Sequence, residues 1–158
     1  MSTVDGLPAH ILLNHLVVVL GPLAAILGVV CAVWPAARRR LIWLALTLAT
    51  ITLIVTPLTI NSGVWLAGRL GNSQEIEHHR GLGEILIYVI GALVVALTAL
   101  AVVGLRVSRG RTVKPAAHIA VSVLVILASA ATLVQTYRVG DSGARAAWGG
   151  LATASAQR

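Results

Sequence analysis

Residues 85–105 read ILIYVIGALVVALTALAVVGL, a run without a charged side chain. At about 1.5 Å of rise per residue, such a run crosses a hydrocarbon layer roughly 30 Å thick as one helix. Three more stretches, 11–34, 41–65 and 119–137, meet the same requirement. None alternates polar and apolar residues as a membrane β-strand does, and a helix satisfies its backbone hydrogen bonds internally, as hydrocarbon demands. The reading is an all-α integral membrane four-helix bundle forming one domain, followed by a tail at 138–158. Composition agrees, because 58% hydrophobic and 11% charged residues would leave a soluble fold short of polar surface.

The formal charge of +7 raises nucleic acid as a partner, but the basic residues are placed as membrane anchors. Arg38, Arg39 and Arg40 separate the first two stretches, and Arg106, Arg109, Arg111 and Lys114 separate the last two. Basic residues in short loops stay cytoplasmic, so both termini and the segment between the second and third helices are expected on the outer side. The acidic residues Asp5, Glu75, Glu77, Glu84 and Asp141 all fall there. Lipid head groups are the ordinary partners of such basic loops, and nucleic acid is excluded. The first stretch lacks the basic lead and short apolar core of a signal peptide, so it is expected in the mature chain. Cys31 is the lone cysteine and reads as a small packing residue.

Within the helices, Gly21, Ala25, Gly28 and Ala32 recur at spacings that put small residues on one face for a neighbouring helix. Pro8 suits a first helical turn, whereas Pro22 and Pro57 are expected to kink their helices, with Thr56 and Thr59 satisfying the carbonyls freed by the second. Residues 67–83 read as an outer loop containing a short interfacial helix, with Trp65 at the membrane boundary. Glycine and polar residues at 139–150 read as an outer surface segment anchored by Trp148, and 151–158 as a frayed end.

Ionisable residues at membrane depth are functional candidates. His10, His15, His78 and His79 all come to the outer face, joined there by Asn14, Glu84, Gln135, Tyr137, Arg138 and Asp141, while His118 stands apart on the inner side. His10 and His15 point about 140° apart on one helix, and Asn14 shares the face of His10. A b-type haem needs two imidazoles from facing helices at one depth, which makes His15 with His79 the first pairing to test. The competing reading of Glu84 is a first-turn carboxylate favoured by the helix dipole. Asp141 competes as a turn former, and His118 as a solvated or capping residue.

The outer-face residues resemble a bacterial membrane family known only as domain of unknown function twenty-two thirty-one. Its pattern has a histidine, usually followed by proline, and a second histidine five residues later. A further histidine stands four residues before a glycine and an acidic residue, and a glycine-histidine-serine-glycine-alanine tail ends near a tryptophan. His10, His15, His79, Gly83, Glu84, Ser142, Gly143 and Trp148 correspond. Ile11 replaces the proline and Asp141 the tail histidine. The resemblance implies a multi-pass protein of the bacterial inner membrane, and fusion of some relatives to Rieske-type iron–sulfur domains implies a link with electron transfer.

Two functions compete on this reading. The first is a redox-associated protein binding haem b or a quinone at the outer histidines, with His10, His15 and His79 as candidate ligands. The second is a non-catalytic subunit or scaffold of a respiratory or other membrane complex, or a homo-oligomer, with the histidines serving only as hydrogen-bonding groups. A transporter fares worse, because no continuous polar file is evident; Thr47, Thr50, Ser122 and Thr132 leave an oligomeric pore as its remaining form.

Overall fold

The computed structural model describes residues 3, 4, 7–71 and 73–155. Asp5 and residues 156–158 lie outside the described residues. A two-residue antiparallel pairing of β1 (Thr3–Val4) with β2 (Leu7–Pro8) leads into four helices. These are α1 (Ala9–Val33), α2 (Pro35–Leu70), α3 (Gln74–Ser108) and α4 (Pro115–Ser155). Pro8 therefore ends a strand directly before α1 and is not in its first turn. Each helix packs on its sequence neighbours and α4 closes against α1, which leaves α1 and α3 diagonally opposed. All four helices are long and apolar enough to cross a membrane.

The connections follow from local chemistry. Trp34 precedes a proline, which drives it out of the helical region, to φ −121° and ψ 102°. Pro35, with φ pre-set and no N–H to satisfy, starts the next helix at once. Arg38, Arg39 and Arg40 thus occupy the first turns of α2 and not a loop. Ser73 caps α3 by accepting from the Ile76 N–H at 3.3 Å, and Glu75 and Glu77 stand in its first turn. At the other end of α3, Gly110 adopts φ +72°, with its N–H on Val107 O and that of Arg111 on Arg106 O at 3.0 Å each. This pair of bonds is a Schellman closure, and the left-handed position suits glycine.

The outer elements differ from the expectation. Most of the segment expected as an outer loop is helical, since α2 runs to Leu70 and α3 begins at Gln74, and α4 runs 41 residues without a break through the segment expected to be irregular. Forty-one residues extend about 60 Å, twice the hydrocarbon thickness, so α2, α3 and α4 carry the bundle beyond the membrane. Ion pairs one helical turn apart, Arg80 with Glu84 at 3.1 Å and Arg145 with Asp141 at 3.0 Å, support these extensions despite their glycines. Both Pro22 and Pro57 sit inside continuous helix. The threonines beside Pro57 do not bond the carbonyl of Leu53, four residues before it. Thr56 Oγ1 donates to Thr52 O at 2.7 Å and Thr59 Oγ1 to Val55 O at 2.9 Å.

The core is organised by alternating steps of three and four residues, the spacing of left-handed helix packing. In α3 the large buried side chains are Leu82, Leu86, Ile90, Leu93, Leu97 and Leu100, with Ala96 and Ala101 buried beside them. Opposite them stand small residues: Gly21, Ala24, Gly28 and Cys31 in α1, Ala45, Ala49, Thr52 and Thr56 in α2, and Ser129, Thr132 and Thr136 in α4. Leucine ridges against small-residue seams let backbones approach closely, which is how helices associate where lipid is as apolar as the core. At Gly28 a Cβ would lie 3.0 Å from Ser129 Oγ and 3.4 Å from Leu97 Cδ2. Large apolar side chains such as Tyr88, Val95, Ile119 and Leu127 face outward.

Candidate functional site

Antiparallel packing brings the start of α1, the outer part of α2, the start of α3 and the outer part of α4 to one level. His10 and His79 meet there from the diagonal helices, with ring centroids 6.1 Å apart and planes at 85°. Each ring is seated in a glycine notch on the next helix. A Cβ on Gly63 would lie 2.9 Å from both Cε1 and Nδ1 of His10, and one on Gly143 would lie 3.0 Å from Cε1 and 3.3 Å from Nδ1 of His79. A side chain at Gly63 would force the His10 ring to shift, and one at Gly143 would crowd the His79 ring.

Hydrogen bonds then define which nitrogen is free. His10 Nδ1 lies 2.9 Å from Thr59 O, and because a carbonyl only accepts, Nδ1 carries the proton. Ser142 spends its hydroxyl proton on Val139 O at 3.0 Å, so its Oγ accepts from His79 Nδ1 at 3.0 Å. Both rings are thus tethered through Nδ1–H, and in the neutral ring each keeps its Nε2 lone pair. This is how proteins orient an imidazole that works through its other nitrogen.

The expected partner His15 is not in this cluster. It is exposed, and its Nδ1 donates to Ile11 O, 2.6 Å away on its own helix. The angular offset from His10 decides the matter, since the face that carries His10, Asn14 and Val17 turns inward and His15 turns away. Asn14 is half-buried on that inward face. His78 is exposed beside the cluster. Glu84 lies in the third turn of α3, not its first, and is held outside by Arg80. Gln135 is buried and donates to Leu82 O at 2.8 Å, tying α4 to α3. Tyr137 and Arg138 are exposed, and with His78, Asp141 and Arg145 they border a shallow groove between α3 and α4. Asp141 turns outward to Arg145, so the inward contact at this level of α4 belongs to Ser142 and the site does not depend on a histidine at 141.

Sequence reading also missed what lies below the histidines. Thr52, Thr56, Thr59 and Ser62 of α2, with Ser129, Thr132 and Thr136 of α4, are buried and line the interior with hydroxyls. Their three-and-four spacing was visible in the chain, but the apolar residues around them share that spacing. Of the residues named for a pore, Thr47 is exposed, Thr50 and Ser122 are half-buried and Thr132 alone is buried. At the inner end Arg38 is buried. It donates through Nε to Cys31 O at 2.9 Å and through a terminal nitrogen to Ala32 O at 3.5 Å, closing the end of α1. Its remaining terminal nitrogen donates to His118 Nε2, so Arg38 joins α1, α2 and α4 and is more than a topology signal.

Among the described residues, no group of three or more histidine, cysteine and acidic side chains converges to hold a metal. Two imidazoles from opposed helices match the axial donors of a b-type haem. A macrocycle standing between them would take the layer where Val17, Leu82, Leu86 and Val139 pack, each at most 6% exposed. The donors suit haem and the filled layer does not, so haem is not carried forward. What the arrangement offers is two half-buried imidazoles near one end of the bundle, able to accept a proton or hydrogen bond when neutral and to donate one when protonated.

A family model described as a predicted membrane protein (DUF2231) matches residues 6–155. No curated protein and no solved structure matches the chain significantly.

Proposed function

This chain belongs to the family of predicted membrane proteins (DUF2231), and from that premise we propose that it binds the headgroup of a quinone or quinol at His10 and His79. The setting of this reading is the bacterial inner membrane, with both termini and the histidine pair on the outer side, supported by the separation of charge. Arg38, Arg39, Arg40, Arg106, Arg109, Arg111 and Lys114 gather at one end of the bundle, and Glu75, Glu77, Glu84 and Asp141 at the other.

One observation carries the reading. Both imidazoles are fixed through Nδ1–H, which leaves the Nε2 lone pair of each neutral ring without that bond, at the end of the bundle where the acidic residues gather. A neutral Nε2 accepts from a quinol hydroxyl, and a protonated one donates to a quinone carbonyl, so either redox form finds a partner. The chain's part is to bind and orient the ring and to hold a proton at Nε2.

The test is to purify the protein in mild detergent and quantify co-purifying quinone by solvent extraction. Wild type and His15→Ala are expected to retain it, and His10→Ala and His79→Ala to lose it. Equal retention in all four would sink the reading and leave the scaffold alternative. A reduced-minus-oxidised spectrum on the same samples, after haem supplementation, checks the exclusion of haem; a cytochrome band lost in both His10→Ala and His79→Ala would reverse it.

A further inference from the structure

Arg38 and His118 are the fourth residues of α2 and α4, each helix starting on a proline. Among the described residues, their contact is the one hydrogen bond that ties the inner end of α4 to another helix. Its direction is forced. A guanidinium offers donors only and stays charged, so His118 Nε2 accepts and the ring is neutral.

Nothing at this end would balance a second charge. Besides Arg38, the titratable and charged residues there are Cys31 on α1, Arg39 and Arg40 on α2, Arg106 on α3, and Arg109, Arg111 and Lys114 in the connection to α4. The described acidic residues, Glu75, Glu77, Glu84 and Asp141, are all at the other end. His118 also stands at the start of α4, where the helix dipole disfavours a cation. The ring is half-buried, so a proton from the inner aqueous phase reaches it. Once Nε2 takes that proton it can no longer accept, and it faces the guanidinium as a like charge.

We propose that His118 is an acid-released latch: neutral, it holds the inner end of α4 to Arg38, and protonated, it lets that end go. The proposal stands apart from the quinone reading. What moves follows from the other bonds. Arg38 keeps Cys31 O and Ala32 O, so the junction of α1 with α2 stays closed. The outer part of α4 stays tied through Gln135 to Leu82 O at 2.8 Å and through Ser142 to His79 at 3.0 Å. Between these ends Ser122, Ser129 and Thr136 recur every seven residues with buried hydroxyls that bond to nothing. The most apolar stretch of α4 is 17% buried, against 28–39% in the other three helices. Released at His118, α4 swings about its outer end.

The test measures spin-label distances in the whole protein in phosphatidylcholine nanodiscs, in a Cys31→Ser background, between about pH 8 and 5, where histidine changes charge. Labels at Ala36→Cys and Ala117→Cys report the inner ends of α2 and α4, and labels at Gln74→Cys and Ala147→Cys report the outer end; all four positions are exposed. Acid should widen the inner pair by more than the length of the lost bond, roughly 3 Å, and leave the outer pair unchanged. His118→Gln, whose amide oxygen accepts from Arg38 at either pH, should hold the inner distance throughout. Release takes up a proton, so acid favours it, and wild type should lose about tenfold in its unfolding equilibrium relative to His118→Gln. An inner distance that holds at pH 5 in wild type overturns the proposal, as does widening that persists in His118→Gln, equal widening at both label pairs, or wild-type stability that tracks His118→Gln across the range.

Discussion

Gly63→Ala separates the geometry of the histidine site from the stability of the bundle. The added Cβ would stand 2.9 Å from Cε1 and Nδ1 of His10. Carbon contacts settle near 3.5–4.0 Å, so the ring must retreat by at least roughly 0.6 Å. Its bond to Thr59 O, now 2.9 Å, then approaches the limit at which a hydrogen bond ceases to count. Losing it costs about 1 kcal/mol, and replacing glycine by alanine inside a helix gains about 1 kcal/mol. The two nearly cancel. Gly63→Ala is therefore expected to unfold within about 1 kcal/mol of wild type while His10 loses its fixed tautomer. Gly68→Ala, on the same helix with nothing within 4 Å of its Cβ, should gain stability and leave His10 untouched. Nitrogen NMR of histidine-labelled protein in micelles reads the tautomer, and chemical unfolding reads the stability. A Gly63→Ala protein whose His10 keeps Nδ1–H as in wild type would refute the notch argument, as would a loss comparable to that of a core leucine.

At the inner end, Arg38→Gln should cost about 2–3 kcal/mol in a detergent unfolding titration, with Arg38→Lys failing to restore it, because a point donor cannot serve α1 carbonyls and His118 together. His118→Ala should cost less than half as much. Leu97→Ala, in the seam facing Gly28, is expected to destabilise by about 2–4 kcal/mol, whereas Val95→Ala, 70% exposed on the lipid side, should stay within about 0.5 kcal/mol in the same assay. Orientation is read by labelling with a membrane-impermeant maleimide. Ser73→Cys should react on intact cells and Arg109→Cys only after permeabilisation, against the low background of buried Cys31.

The chain by itself determined that four apolar segments become helices, that they cross a membrane and that seven of the twelve basic residues collect at one end, because each is a property of a segment and its flanks. Backbone chemistry at Trp34–Pro35, Ser73 and Gly110 was equally local. Only the tertiary structure decided which faces turn inward. In a membrane the surroundings are as apolar as the interior, so Leu97 inside and Val95 outside look alike in the chain, and no amphipathic stripe marks the core. For that reason His10 rather than His15 joins His79, Ser142 rather than Asp141 meets it, and Arg38 becomes a buried cap. The outer extensions of α3 and α4 were missed for a related reason: their glycine and charge argue for loops, until packing in the bundle and ion pairs one turn apart hold them helical.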